Sequence, residues 1–242
     1  MQAITGPDPG AAHAVARWAD ETVHLLPAHA MLWPSGGVLF VADLHLGKAA
    51  TYRAFGQPVP SGSTLDNLQR LSRLIALHAP RQLVFLGDFL HGAAGRTPAL
   101  LAALLAWRGQ HATLMMTLVR GNHDRRAGNP PPEAGFEIVE EPWLLGPFAC
   151  CHHPQSHASH FVLAGHEHPV LRLHGPARDR LRLPCFVRTT RQAILPAFGN
   201  FTGGHPVFPG PECEVHVVGG ERVWLVPAQA LQLRDRLSTR RR

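Results

Sequence analysis

The feature that most constrains the fold is a set of short apolar segments, each of which runs directly into side chains that bind metal ions. These segments end in Asp43-Leu44-His45, Gly87-Asp88, Gly121-Asn122-His123-Asp124, Cys151-His152-His153-Pro154 and Gly165-His166-Glu167-His168. Carboxylate, amide and imidazole groups gathered at strand ends can hold two divalent cations side by side. Paired cations are a common protein solution to attack on a phosphate ester, so the pattern predicts a metal-dependent phosphoesterase.

The sequence between the first three motifs alternates between strand and helix patterns. A hairpin with its turn at 34–37 leads into the first strand, and Ser61 or Ser63 could cap the first helix. The predicted order is strand 38–42, helix 63–78, strand 82–86, helix 99–110 and strand 113–119. Such alternation predicts parallel strands with right-handed crossovers, whose carboxyl ends meet at one edge where ligands bind.

From residue 136 onward the pattern changes to short strands separated by Gly and Pro. Strands are predicted within 136–140, 143–151, 160–164, 170–173, 184–195 and 215–226, and a helix within 229–237. Residues 125–132 and 198–211 are expected to form loops near the mouth of the site. We therefore expect one α/β domain over residues 1–242, built as a four-layer α/β/β/α sandwich, with a basic tail at about 234–242.

Composition limits the cellular setting and the partners. Residues 1–14 lack the pattern of a secretion signal, and no apolar run approaches the roughly 18–20 residues of a membrane span, so we expect a cytoplasmic protein without membrane association. The net charge of +6 and the pI of about 10.1 would favour a polyanion such as DNA. Lys48 is the one lysine among 23 basic residues, so an arginine bias of the genome explains the charge equally well.

Each polar residue type suits a particular task in a two-metal site. Asp88 is predicted to bridge the cations, because one carboxylate at a strand end can present both oxygens. Asp43 and His45 would bind one cation, and Asn122 with a later histidine would bind the other. The nucleophile would be a hydroxide held between the metals.

Charged and acidic residues beside these ligands are candidates for contact with the substrate. His123 is predicted to protonate the leaving oxygen or to stabilise charge, oriented by Asp124 or Asp43. Lys48, Arg125 and Arg126 are predicted to contact the substrate phosphate.

Taken in order, the motifs D-x-H, G-D, G-N-H-D, H-x-P and G-H-x-H resemble those of the calcineurin-like metallophosphoesterase superfamily, over residues 38–169. The resemblance implies that one cation is bound by Asp43, His45, Asp88 and His168, and the other by Asp88, Asn122, His152 and His166. It also gives His123 the acid or charge-stabilising role. The H-x-P motif favours His152 as a ligand, with His153 as the alternative.

A narrower resemblance covers nearly the whole chain. The stretches ADLHLGK at 42–48, RLPCF at 182–186, LPAFG at 195–199 and FTGG at 201–204 are similar to those of the bacterial ligase-associated DNA damage response endonucleases, the PdeM family. This resemblance implies manganese-dependent phosphodiester cleavage in DNA repair, in association with a helicase, an exonuclease and a DNA ligase. Iron or zinc would suit the same ligands as manganese.

Two other functions remain open at this stage. The same metals in a narrower pocket would hydrolyse nucleotides or small phosphoesters. A member of the superfamily that had lost its site would serve as a non-catalytic scaffold, but this chain retains every ligand type. The sequence leaves the oligomeric state undetermined.

Overall fold

The computed structural model describes residues 12–59, 62–174, 180–210, 212–229 and 231. Two mixed β-sheets form the body of this part of the chain. The seven-stranded first sheet contains, in spatial order, β1 (Ala14–Trp18), β2 (Glu21–Leu26), β3 (Ala30–Trp33), β4 (Val38–Val41), β5 (Gln82–Leu86), β6 (Met115–Val119) and β7 (Glu137–Val139). Its first four strands are antiparallel, and β4 to β7 run parallel, as the strand–helix alternation predicts.

The second sheet has nine strands and comes from the later part of the chain. Its strands are β8 (Trp143–Leu145), β9 (Phe148–Cys150), β10 (Phe161–Ala164), β11 (Pro169–His174), β12 (Arg180–Arg188), β13 (Gln192–Ile194), β14 (His205–Pro206), β15 (Glu214–Gly219) and β16 (Arg222–Leu225). Seven of these strands are hydrogen-bonded in the order β14-β11-β12-β13-β10-β9-β8. In addition, β15 pairs with β12, and β16 pairs with β15. The strand β10 lies parallel to both of its neighbours, so its carboxyl end points the same way as that of β9.

Alternate residues of β4 show how the layers pack. Leu39 and Val41 face a cluster that includes the helices, whereas Val38 and Phe40 face a second cluster shared with β9 and β10. Because both faces are covered, the strand is apolar throughout. The α/β sandwich of two packed sheets is thus confirmed.

The α-helices of the described residues are α1 (Lys48–Ala54), α2 (Ser63–His78), α3 (Pro98–Gln110) and α4 (Asn122–Ala127). The two long ones, α2 and α3, pack against the first sheet. Thr97 caps α3 by accepting a hydrogen bond from the backbone N–H of Leu100. The prediction that Ser63 caps α2 is wrong, since Ser63 is its first residue and Gly62 holds the cap position without a side-chain bond.

Several local predictions need correction. Residues 137–139 belong to the first sheet, where β7 pairs with β6, and not to the second. The predicted loop at 125–132 begins as α4. The predicted helix at 229–237 falls mostly outside the described residues, as does the basic tail at 234–242. None of the described helices combines the length and the apolar character that a bilayer crossing requires.

Candidate metal centre

All seven predicted metal ligands lie together where the two sheets meet. Asp43 and His45 follow β4, Asp88 follows β5, Asn122 opens α4 after β6, His152 follows β9, and His166 and His168 connect β10 to β11. Backbone hydrogen bonds align the first two loops, because the N–H of Asp43 donates to the Gly87 carbonyl at 3.2 Å and the N–H of His45 to the Asp88 carbonyl at 2.8 Å. Parallel strands thus deliver ligands from both sheets to one edge.

Four ligands form a first group, here called cation site A: Asp43, His45, Asp88 and His168. Asp43 Oδ1 lies 3.3 Å from His168 Nε2. His45 Nε2 lies 3.3 Å from His168 Nε2 and 3.6 Å from Asp88 Oδ2. Four ligand atoms therefore face one point.

A second group, here called cation site B, contains Asp88, Asn122, His152 and His166. His152 Nε2 lies at its centre, 2.9 Å from Asn122 Oδ1, 3.0 Å from His166 Nδ1 and 3.4 Å from Asp88 Oδ1. Asp88 thus turns Oδ2 toward site A and Oδ1 toward site B. This is the position of a bridging carboxylate.

The residues fit a pair of divalent cations on two observations. Ligand atoms about 2.1 Å from a shared cation lie roughly 3.0 to 3.4 Å apart in octahedral or tetrahedral geometry, which is close to the separations in both sites. In addition, Asp43 Oδ1 is buried without a hydrogen-bond partner, while its other oxygen accepts a bond from the His166 N–H at 2.9 Å. An unpaired buried carboxylate oxygen is costly unless a cation binds it.

The electrostatics of the protein alone disfavour charge in the site. Burial raises the pKa of Asp88 to about 8, and it lowers the pKa of His152 to about 4 and that of His45 further below its usual range. Neutral imidazoles keep the lone pairs that bind metals. A buried carboxylate with a raised pKa is a group that a nearby cation would stabilise in its charged form.

Contacts behind site B distinguish His152 from His153. His152 is fully buried, and its Nδ1 donates to the Leu86 carbonyl at 3.1 Å, which leaves Nε2 to face the ligand group. His153 Nδ1 instead pairs with Glu141 Oε1 at 2.6 Å. The geometry therefore favours His152 as the ligand.

Glu141 is a supporting residue that the sequence reasoning missed. Its Oε2 accepts hydrogen bonds from the backbone N–H groups of His152 at 2.7 Å and His153 at 2.8 Å. Eleven positions separate Glu141 from His152, and no motif connects them, so the sequence carries no local signal for this contact. Glu141 fixes the backbone from which His152 projects.

Most of the ligands have a left-handed backbone conformation. The φ angles are 55° at Asp43, 47° at His45, 51° at Asp88, 69° at His166 and 45° at His168. This region is uncommon for residues other than glycine and costs on the order of 1 kcal/mol or more for each residue. Such strained residues cluster at functional sites, which supports a functional role for this one.

Two glycines, each directly before a predicted ligand, permit the close packing of these loops. A Cβ at Gly87, where φ is 79°, would lie 2.2 Å from His152 Nδ1. A Cβ at Gly121 would lie 2.2 Å from Asp88 Oδ1. Any side chain at either position would displace a ligand.

His123 lies beside both sites, but its partner differs from the predicted one. Its Nδ1 donates to the His91 carbonyl at 2.6 Å, and its Nε2 lies 4.0 Å from Asp88 Oδ2. Asp124 is buried and accepts backbone hydrogen bonds from Leu90 and Gly121, each at 3.0 Å. The prediction that Asp124 or Asp43 orients His123 is therefore wrong: the carbonyl of His91 orients the ring, and Asp124 joins two loops.

His91, three positions after Asp88, is a second supporting residue. Its ring stacks on that of His123, with centroids 4.8 Å apart and an interplanar angle of 18°. Its Nδ1 also lies 3.2 Å from His45 Nδ1. His91 thus supports a ligand of site A and the predicted acid together.

An open cleft of about 510 Å³ gives access to both sites, lined in part by His45, Asp88, His123, His166 and His205. Two of the three predicted phosphate contacts lie near it. The ammonium of Lys48 interacts with Asp43 and Asp88, and the charge of Arg126 opposes the effect of burial on the pKa of Asp88. The guanidinium of Arg125 forms an ion pair with Glu140 at the end of β7 instead.

Comparison with known proteins agrees with this geometry. Residues 37–182, which include all seven predicted ligands, match the family model for calcineurin-like phosphoesterases. Among solved structures, the chain is similar to the Pseudomonas putida nuclease MPE, with 44% identity over 88% of this chain and 100% of that chain and a TM-score of 0.78. The E. coli phosphoesterase Yfce is 16% identical over 79% of this chain and 92% of that chain, with a TM-score of 0.39.

No protein of curated function matches the chain. The family match covers more than half of the sequence and contains the complete set of ligands that the fold brings together. The chain therefore belongs to the calcineurin-like phosphoesterase family and is a metal-dependent phosphoesterase.

Proposed function

We propose that this protein is a binuclear-metal phosphodiesterase that cleaves DNA, with manganese as its metal. The observation that carries the proposal is the position of Asp88, whose two carboxylate oxygens face two complete ligand groups at the floor of an open cleft. The 44% identical structure is that of a nuclease, which supports a nucleic acid as the substrate. The oxygen and nitrogen ligands suit manganese, and iron and zinc as alternatives.

The side chains around the cleft have different roles in the proposed reaction. Bound divalent cations would polarise a phosphoryl oxygen and lower the pKa of water. Since His123 donates through Nδ1 to the carbonyl of His91, Nε2 is its remaining ring nitrogen. Nε2 can give a proton to the leaving oxygen when the ring is in the doubly protonated imidazolium form, and it returns to a neutral imidazole as it does so. Lys48 and Arg126 supply positive charge for the phosphate of the substrate.

A cleft with an open mouth suits a polymer, and the net charge of +6 would increase the rate of encounter with DNA. We further propose that the enzyme acts in DNA repair in the cytoplasm, in association with a helicase, an exonuclease and a DNA ligase. The support for this role is the similarity to the ligase-associated endonucleases over 42–48, 182–186, 195–199 and 201–204.

The test is turnover by purified protein loaded with manganese, measured on plasmid DNA, single-stranded oligonucleotides and bis(p-nitrophenyl) phosphate. Metal content is determined on the same preparation. Nicking of DNA by the natural protein, and its loss in Asp88→Asn, is the expected result. Turnover of the small phosphodiester alone would reject the nuclease and leave a hydrolase of nucleotides or small phosphoesters.

A further inference from the structure

A second cavity, here called the side pocket, opens beside the metal centre. It has a volume of about 220 Å³ and is lined in part by His29, His168, Pro169, Ala197, Asn200 and Phe201. His168 also lines the cleft, so the two cavities share a wall that is itself a predicted metal ligand. We propose that the side pocket binds the nucleobase adjacent to the scissile phosphate, with Phe201 stacked on it. This inference rests on the proposed function.

The size of the side pocket fits one flat ring system. Cavities that enclose a whole drug-sized ligand begin at roughly 300 Å³, so the side pocket is too small for a base pair and its backbone. The lining includes residues 199–203 on one loop and Pro169 and Val170 at the start of β11. A mixed polar and apolar lining of this kind suits a base, which has apolar faces and polar edges.

Phe201 lies at the side pocket with an unfavourable backbone conformation and an exposed side chain. Its φ is 66°, in the left-handed region that bulky side chains rarely adopt, and 52% of its surface is exposed. An aromatic ring held out beside a phosphodiesterase centre is suited to base stacking, which tolerates any sequence.

Hydrogen bonds from α2 hold the loop that carries Phe201. Arg70 of α2 donates to the Phe198 carbonyl at 2.8 Å and to Asn200 Oδ1 at 3.0 Å. Asn67 of the same helix accepts a hydrogen bond from the Asn200 N–H at 3.1 Å. The pocket is therefore formed before a ligand arrives, which reduces the entropy lost on binding.

Lys48 connects the side pocket to the metal centre. Its ammonium donates to the Thr202 carbonyl at 3.2 Å, on the pocket side, and it interacts with the carboxylates of Asp43 and Asp88 on the other. A nucleotide with its phosphate in the cleft and its base in the side pocket would pass this positive charge. The arrangement thus matches the order of groups in a nucleotide.

The test compares oligonucleotides that carry either a normal base or an abasic residue next to the scissile phosphate. We expect the natural protein to cleave the normal site about tenfold faster, the scale of one base–aromatic stack. Phe201→Ala should remove this difference, and Phe201→Tyr should restore it. Phe208→Ala is the matched control, because Phe208 is 84% exposed and lines neither cavity.

A binding measurement without turnover completes the test. An oligonucleotide containing 2-aminopurine, mixed with protein in the absence of divalent cations, should lose fluorescence with the natural protein and with Phe208→Ala, but not with Phe201→Ala or Phe201→Leu. An unchanged abasic effect in Phe201→Ala, or unchanged quenching in Phe201→Ala and Phe201→Leu, would overturn the inference while DNA cleavage persists. If the natural protein does not cleave DNA at all, the proposed function fails first.

Discussion

Cation sites A and B share Asp88 but would offer their ions different ligands. Site A adds a second carboxylate, Asp43, whose Oδ1 is buried and unpaired, whereas site B adds the neutral amide of Asn122. Charge attracts a cation strongly in a buried site, so site A should bind more tightly. Both sites have supporting contacts: the Leu86 carbonyl and Glu141 hold His152 of site B, and His91 lies against His45 of site A. The two sites thus differ mainly in the charge of their oxygen ligands.

The largest effect is expected at the residue that both sites share. Asp88→Asn removes the charge that faces both cations, so turnover should fall about a thousandfold or more, since each roughly 1.4 kcal/mol of lost stabilisation is a factor of ten. Metal analysis should show loss of bound cation, while circular dichroism shows a native fold. Retention of a tenth of the natural activity would contradict the bridging role.

Substitutions at the unshared oxygen ligands test the difference between the sites. Asp43→Asn should abolish the tighter of two binding steps in a calorimetric titration with manganese. Asn122→Ala should weaken only the second step, by roughly ten- to a hundredfold, the range seen when support for a metal ligand is lost. If Asn122→Ala instead removes the tighter step, the assignment of affinity by charge is wrong.

The adjacent histidines near site B give a sharper contrast of smaller size. His152→Gln should empty site B and lower turnover by about a hundredfold. His153→Gln should change turnover by no more than a few-fold, because His153 is partly exposed and its ring is paired with Glu141. Metal stoichiometry measured on both variants decides between them. Equal losses would make His153 a ligand as well.

The smallest expected effect is the release of a proton when the metal binds. Because burial raises the pKa of Asp88 to about 8, the carboxyl of the cation-free protein is protonated at pH 7, and binding of manganese should release about one proton. Release should shrink toward zero by pH 9. Calorimetry in buffers of different ionisation enthalpy measures the number of protons.

Thermal denaturation in the presence of a chelator can test the direction of this pKa shift of Asp88. A carboxyl whose pKa is higher in the folded than in the unfolded state makes its full contribution to stability at pH values below the unfolded pKa. For Asp88 this contribution is lost as the pH rises through about 8. The melting temperature of the cation-free protein should therefore fall between about pH 4 and pH 8. Asp88→Asn should reduce this fall, and an equal fall in the variant would rule out Asp88 as its source.

Local patterns in the sequence predicted the parallel strands and pointed to the candidate ligands that the fold brings together. The predicted bounds of the strand 82–86 and the helix 63–78 match the observed ones. Burial of one or both faces imposes a regular pattern of apolar residues on such segments, and that pattern can be recognised in the sequence. The short helix α1 was missed, since seven residues after a glycine show little periodicity. The strand β7 was assigned to the wrong sheet because pairing depends on distant partners.

The supporting residues of the site were harder to predict for a related reason. Glu141 acts through backbone N–H groups that any residue possesses, and the role of Asp124 is likewise to join backbone segments. The sequence shows which side chains such residues have but not which loops they meet. Motif spacing therefore indicated the candidate ligands, while the geometry showed which groups hold them in place.

The left-handed backbone at five of the seven ligands restricts how this enzyme could be re-engineered. A change of metal preference by replacing a ligand with glutamate or cysteine would place a side chain that disfavours this conformation at Asp43, His45, Asp88, His166 or His168. Asn122 and His152 carry no such restriction. Selection for a variant that prefers another metal should therefore find its productive substitutions at these two positions.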